Sequence, residues 1–296
     1  MKKLKNNNLY HTPVLLKEAI DALQIRKGFR YIDATLGGGG HTELILEKGG
    51  YVLAIDRDED AIQTVRKKLN NKKELTLFKG NFRDIREIAE KSGFVDCDGI
   101  LLDLGTSVHQ LRDSLRGFSF KSHDKLDMRM DKNQDFSALE IINKWSKDEL
   151  IDIFERYGEE SEAVEVAEQI VKERKSSEII YADDLSEIIL KAKKRKEAGI
   201  HPATQVFQAI RIAVNDELNA LKDALRLGIE ILGSGGRIVI ISFHSLEDRV
   251  VKQAFKDFEK KGKGKIITKK PISASAAEIK INKKARSAKL RVFEKK

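Results

Sequence analysis

The stretch Tyr31–Thr42, YIDATLGGGGHT, constrains the fold more than any other part of the chain. An apolar run closes on an acid, Asp33, meets four consecutive glycines, and passes into a helical pattern near Thr42. Glycine adopts positive φ and lets the backbone approach a neighbour closely, at a cost in conformational entropy. Four in a row are therefore expected where the backbone itself has work to do. A buried strand, a glycine turn and a helix form the opening unit of an open α/β sheet, whose ligands sit beyond the carboxyl ends of the strands.

The rest of the first third repeats that alternation. Val52–Asp56, Leu75–Phe78 and Ile100–Leu104 read as strands, with helical patterns at Asp58–Leu69 and Arg83–Lys91 between them. Strand and helix in turn predict a parallel sheet. The next strong strand, Arg237–Ser242, follows a glycine turn at Gly233–Gly236 and comes after a gap of mostly helical pattern: Ala138–Asn143, Lys147–Tyr157, Ser161–Arg174, Ala182–Lys196 and Ala203–Leu227. The expected fold class is α/β, a Rossmann-like, mostly parallel sheet. A sheet domain would span 1–112 and 206–296, interrupted by an inserted all-helical domain over 113–205. Beyond the late strand, Ser245 with Asp248 three residues on has capping-box spacing for a helix over Leu246–Phe258. Two strand-like runs follow, Lys265–Lys269 and Lys289–Phe293.

No apolar run reaches the roughly 18 residues that span a bilayer. Met1–Asn8 has no apolar segment of the secretory kind, so the cytoplasm is the expected location. Cys97 is the only cysteine, which excludes an internal disulfide and any multi-cysteine zinc site, and the six histidines lack metal-ligand spacing; no metal is expected. The net charge of +9 is unevenly placed. Lys252–Lys296 holds 16 Lys/Arg against 4 Asp/Glu, and the remainder is slightly acidic. A basic region at one end suits phosphate-backbone binding.

Asp56 closes the second strand 17 residues after Gly39, where a carboxylate can accept from a ribose diol. A nicotinamide enzyme requires G-x-G-x-x-G; here Gly37, Gly39 and Thr42 fall at those positions and the third glycine is missing. The D-x-x-x-G spacing from Asp33 to Gly37 favours S-adenosylmethionine, with Asp33 organising the turn. Phe82, after the third strand, is placed to pack on an adenine ring or in the core. Asp103 ends the fourth strand, where a carboxylate is costly unless it is paired or works.

Ten blocks carry a more specific resemblance: His11–Ile20 (HTPVLLKEAI), Asp33–Thr42 (DATLGGGGHT), Ala54–Asp58, Gly99–Gly105, Arg116–Phe120 (RGFSF), Leu126–Asp131 (LDMRMD), Tyr157–Glu160, His201–Leu218 (HPATQVFQAIRIAVNDEL), Gly235–Arg249 (GGRIVIISFHSLEDR) and Ala285–Arg291. In this order they resemble the bacterial ribosomal RNA small subunit methyltransferase H family, also called MraW. The resemblance implies S-adenosylmethionine-dependent N4-methylation of a cytidine in the decoding region of 16S ribosomal RNA, with the small ribosomal subunit as partner. It implies cofactor contacts from Gly39, Gly40 and His41, Asp56 on the ribose, Phe82 and Asp103 beside the cofactor, and Gln110 closing the site. Gly105–Leu111 reads GTSVHQL where the family has GVSSPQL, so the Ser-Pro pair of that loop is replaced by Val108-His109.

Asp103 is also the candidate proton acceptor. Candidate substrate residues are His11, Arg116, His201, Asn215 and His244. Asn215 lies on a polar helical face with Thr204, Gln208 and Arg211, and Arg116 stands beside Phe118 and Phe120. Asp127, Arg129 and Asp131 suggest an ion-pair knot. Ser242, His244 and Asp248 have hydrolase composition but lack the G-x-S-x-G elbow. A non-catalytic ribosome-assembly factor and a nicotinamide-dependent oxidoreductase are the alternative classes, and monomer and homodimer are both open.

Overall fold

The computed structural model describes residues 13–69, 72–106, 115–194 and 201–296. They form two compact units, one from Met1–Gly105 with Leu218–Lys296 and the other from Thr106–Glu217.

The first unit is a twisted sheet with helices on both faces. Its elements run α1 (Leu16–Leu23), β1 (Arg30–Asp33), α2 (Gly40–Glu47), β2 (Tyr51–Asp56), α3 (Glu59–Leu69), β3 (Leu75–Lys79), α4 (Ile85–Ser92) and β4 (Cys97–Asp103). Strand order is β3-β2-β1-β4, all parallel. The apolar runs in β1, β2 and β4 are continuous because both faces are buried, whereas the edge strand β3 has no buried residue. Ile32, Leu53, Ile55, Ile100 and Leu102 enter one core, while Tyr31, Val52, Ala54 and Leu101 enter the other. Cys97 is buried among the first set, and burial pushes its thiol up to about 12.

The second unit holds α5 (Ala138–Lys144), α6 (Lys147–Gly158), α7 (Ala163–Glu173), α8 (Ala182–Ala192) and α9 (Thr204–Asn215). Ile141, Leu150, Phe154, Val166, Ile170, Leu185, Ile189, Val206 and Ile210 form its core. Ser137 with Glu140 and Ser146 with Glu149 cap α5 and α6 reciprocally. Lys193 and the fully buried Glu160 carboxylate pair at 2.7 Å.

The chain returns to the first unit through α10 (Glu217–Ile231), then β5 (Leu232–Ser242), α11 (Ser245–Lys260), β6 (Gly264–Ile266), β7 (Ile272–Ser273), α12 (Ala276–Ile281), a 3-10 turn at Lys283–Ser287 and β8 (Lys289–Lys295). β5 pairs parallel with β4, and β8 lies antiparallel between β5 and β6, with β7 also paired to β8.

Four details differ from the sequence reading. The helix expected over Ala203–Leu227 is two helices, broken at Asp216, whose φ of 47° and ψ of 43° are left-handed. The break moves the domain border: α9 belongs to the helical unit, and the return begins at Leu218 instead of 206. Gly233–Gly236 is an irregularity within β5 and not a turn before it. The ladder jumps from Cys97–Leu232 to Gly99–Arg237 across it. The cap of α11 is His244, not Ser245: its Nδ1 accepts from Glu247 N–H at 3.4 Å, and Glu247 Oε2 accepts from His244 N–H. Asp248 instead takes a bidentate bond from Arg291 at 2.6 and 3.1 Å.

Candidate active site

The carboxyl ends of β1, β2 and β4 bring Asp33, Asp56 and Asp103 to the glycine turn, each in a different state. Asp33 is almost fully buried. Its Oδ1 accepts from Thr35 N–H at 3.2 Å, and its Oδ2 accepts from the Thr42 hydroxyl at 2.7 Å. Thr42 stands where a nicotinamide fingerprint has its third glycine, and its hydroxyl is what braces Asp33. Burial lifts the Asp33 carboxyl to about 6, with the two threonine bonds pulling the other way.

Asp56 grips the turn from the second strand. Gly37 N–H donates to its Oδ2 at 2.8 Å, and Asp58 N–H donates to its Oδ1 at 2.9 Å. Each carboxylate oxygen keeps a second lone pair for a ligand hydroxyl. Burial raises this carboxyl as well, against those two backbone bonds. Leu36 N–H donates to Ile55 C=O and Gly39 N–H to Leu36 C=O, completing the bend.

The glycines serve different ends. Gly37, at φ 48°, has open space where a side chain would stand: only Thr35 C=O lies near, 3.9 Å from an added Cβ. A Cβ on Gly39 would meet Val65 at 2.8 Å, and one on Gly40 would meet Pro13 at 2.3 Å. Gly39 and Gly40 thus let α2 pack closely on α3 and on the residues before α1, while Gly37 leaves a cradle.

Asp103 ends β4. Its backbone N–H donates to Thr35 Oγ1 at 2.6 Å. Its Oδ1 is buried and has no hydrogen-bond partner among the described residues, and its Oδ2 lies 3.8 Å from Nδ1 of the buried His41 on α2. Burial pushes this carboxyl up to about 8; the neighbouring charges of Asp33 and Glu247 add to the rise, and Lys284 opposes it. The side chain as a whole keeps 20% of its surface exposed, so it sits at an opening. Phe82 begins a 3-10 turn after β3, half-buried against the core, with the Arg57 guanidinium 5.6 Å from its ring centre. Beyond β5, the half-buried His244 caps α11 and its Nε2 lies 3.2 Å from Glu247 Oε1.

The hydrolase composition does not assemble. Ser242 Oγ donates to Lys289 C=O, His244 is a helix cap and Asp248 is paired with Arg291.

Candidates in the helical unit are committed to its own architecture. Arg116 is 3% exposed and donates to the Arg129 and Met130 carbonyls. The Asn215 amide donates to the Met128 and Arg211 carbonyls at 2.8 and 2.9 Å, and its Oδ1 accepts from Met130 N–H at 2.9 Å. Asn215 therefore ties the 128–130 segment to α9 in place of offering an amide to a base edge. His201 stacks on Phe120 with ring centres 4.2 Å apart, and partial burial lowers its pKa. Asp127 and Arg129 form a bidentate pair with both bonds at 2.8 Å, while Asp131 Oδ1 accepts from Asn133 N–H. His11 and Gln110 lie outside the described residues.

Sequence reasoning missed Thr35, Thr42, Glu247 and Lys284. The first two stand inside the glycine block, where their hydroxyl chemistry was a readable signal. The other two have no local signal; the fold brings their charges to Asp103.

A parallel 3-2-1-4-5 sheet with an antiparallel strand beside β5, and an acid, a glycine turn and a second acid at its carboxyl edge, defines a class I S-adenosylmethionine-dependent methyltransferase domain. The chain belongs to the MraW methylase family, whose model matches residues 8–296. It is 44% identical to ribosomal RNA small subunit methyltransferase H of Brevibacillus brevis, over 97% of this chain and 98% of the relative. The enzymes of that name from Halothermothrix orenii and Carboxydothermus hydrogenoformans are 45% and 46% identical, over 97% and 96% of this chain and 99% and 97% of theirs.

Proposed function

We propose that this chain transfers a methyl group from S-adenosylmethionine to the exocyclic N4 of a cytidine in the decoding region of 16S ribosomal RNA, with the small ribosomal subunit as its substrate in the cytoplasm. The observation behind the chemistry is Asp103 Oδ1, a buried acceptor at the end of β4 with no partner among the described residues. A buried acceptor left unsatisfied is costly, so such an atom points to a ligand group that completes it.

The residues at the edge fit the cofactor. Asp56 has lone pairs for a ribose diol, Gly37 leaves room along the backbone, and the Thr35–Asp33–Thr42 brace holds the turn against rearrangement. Phe82 stands beside the β2–β3 end as a flat apolar wall. When bound, S-adenosylmethionine supplies a methyl group on an electrophilic sulfonium.

The protein's part is to orient the nucleophile and manage its proton. The amine of cytosine is a weak nucleophile because its lone pair is delocalised into the ring. Asp103, as an acceptor for one N4–H, localises that lone pair and takes the proton. A carboxyl raised to about 8 holds a proton far better than an ordinary aspartate does near neutral pH. Holding the amine at about 3–3.5 Å from the carbon it attacks replaces a collision with a near-unimolecular step. The cytidine must be unstacked to reach the sheet edge.

Two measurements test this reading. Titration calorimetry should show binding of S-adenosylmethionine in preference to NAD; the reverse preference would sink the cofactor assignment. Nucleoside mass spectrometry of small-subunit RNA, with and without this protein, should show N4-methylcytidine only when it is present. Tight binding to particles that stay unmethylated would favour an assembly factor.

A further inference from the structure

We infer that the segment from Lys269 to Arg286 grips the RNA backbone beside the target nucleotide; this rests on the RNA methyltransferase reading above.

The topology places the segment at the working edge of the sheet. β8 runs antiparallel to β5, and its first residue, Lys289, pairs with Ser242, the last residue of β5. Residues that lead into Lys289 therefore come off the sheet at the carboxyl ends of the parallel strands. Two contacts fix them there. Glu278 Oε1 accepts from Leu15 N–H at 2.8 Å, just past Pro13, the neighbour of Gly40. Ala285 and Ala288 are fully buried in the core of that face. Lys284 is close enough to Asp103 to act on its carboxyl.

The segment's charge is open. Some lysines elsewhere are paired, among them Lys68 with Glu43, Lys193 with Glu160, Lys265 with Glu294 and Lys289 with Asp248. Among the described residues, Lys269, Lys270, Lys280, Lys283 and Arg286 are exposed and take part in no ion pair. The one acid among them, Glu278, turns its carboxylate to the Leu15 backbone N–H. Small apolar residues hold the segment down while unneutralised cations face outward, beside an opening at Asp103. That arrangement suits a polyanion, because cations already paired in the protein release few counterions on binding. The backbone of an RNA strand whose cytidine enters the edge passes within reach of these side chains.

The test uses the full-length protein and small-subunit RNA. A triple variant, Lys280→Gln, Lys283→Gln and Arg286→Gln, should flatten the log Kd against log salt plot by about 2. It should also raise KM for RNA at least tenfold, while leaving kcat at saturating RNA and S-adenosylmethionine affinity unchanged. The unchanged cofactor affinity reports that the variant is folded. Lys269→Gln with Lys270→Gln should act the same way by a smaller amount. Lys256→Gln with Lys260→Gln, on the exposed side of α11, should leave the salt slope alone. An unaltered slope and KM in the triple variant, or an equal loss in the α11 control, would overturn the inference. A wild-type protein that binds ribosomal RNA with no salt dependence and does not methylate it would instead overturn the function on which the inference rests.

Discussion

The two units hold similar polar residues and use them in opposite ways. In the helical unit, Asn215, Asp127 and Arg129 spend their hydrogen bonds on their own unit's backbone and on each other. At the sheet edge, Asp33 and Asp56 are braced as carefully, but Asp103 keeps a buried oxygen with no partner among the described residues. A polar residue in a suggestive motif is therefore a weak guide to chemistry by itself. Hydrogen-bonding capacity left over after folding separates a working group from a strut.

That contrast can be broken from either side. The largest effect should come from Asp103→Asn, which removes the proton acceptor. Single-turnover methylation should fall by about 10²–10⁴-fold, the range for losing a positioned acid or base. The melting temperature should hold or rise, because a costly buried carboxyl has gone. A variant with intact turnover would make Asp103 another strut. On the other side, Asn215→Ala should cost about 2–3 kcal/mol in denaturant unfolding, since it strands buried backbone groups. S-adenosylmethionine affinity should change by less than about twofold; a large loss of methylation without loss of stability would give Asn215 a role it lacks here.

The pH dependence sharpens the same point. The Asp103 carboxyl rises from 3.8 to about 8 on folding, so within that window the folded state holds a proton that the unfolded state has lost. Stability therefore falls as pH rises from about 4 to about 8. Melting curves of the wild type against Asp103→Asn, taken across that range, should show the steeper slope in the wild type, the variant keeping the shallower part that the raised Asp33 and Asp56 carboxyls supply. Methyl transfer should run the other way, rising with pH and levelling above about 8 as the acceptor ionises. The smallest effect is expected from Gly37→Ala. The added methyl meets only Thr35 C=O at 3.9 Å, so left-handed strain alone should cost about 1–2 kcal/mol. Cofactor affinity should suffer more than stability if the turn is an open cradle.

The centre of the sheet was legible because β1, β2 and β4 are apolar on both faces and each ends in an acid. Strand ends shifted by no more than about three residues for β1 to β4. The helical unit was legible as helices but not in its borders. Val206, Ile210 and Val214 continue into Leu221 and Leu225 at helical spacing, so periodicity runs straight through Asp216. The two sets nevertheless enter different cores, and a left-handed residue changes the chain's direction without disturbing the apolar count. Arg211 and Glu217, on either side of Asp216 in sequence, are joined by two bonds of 2.9 Å. At the site, the acids and glycines could be found from spacing. Why Gly40 is glycine could not, because the reason is Pro13, 27 residues away.

The seating of β8 between β5 and β6 has a consequence for how the molecule assembles. β6 hydrogen-bonds to β8 and not to β5, so the order of assembly cannot follow the order of synthesis. Until β8 threads into the gap, β5 presents an unpaired edge and β6 has no ladder neighbour. Species caught at that stage offer exposed backbone templates for pairing between chains, the usual route to aggregation. The Arg291–Asp248 pair, which joins β8 to α11, then serves as the latch that ends this vulnerable interval.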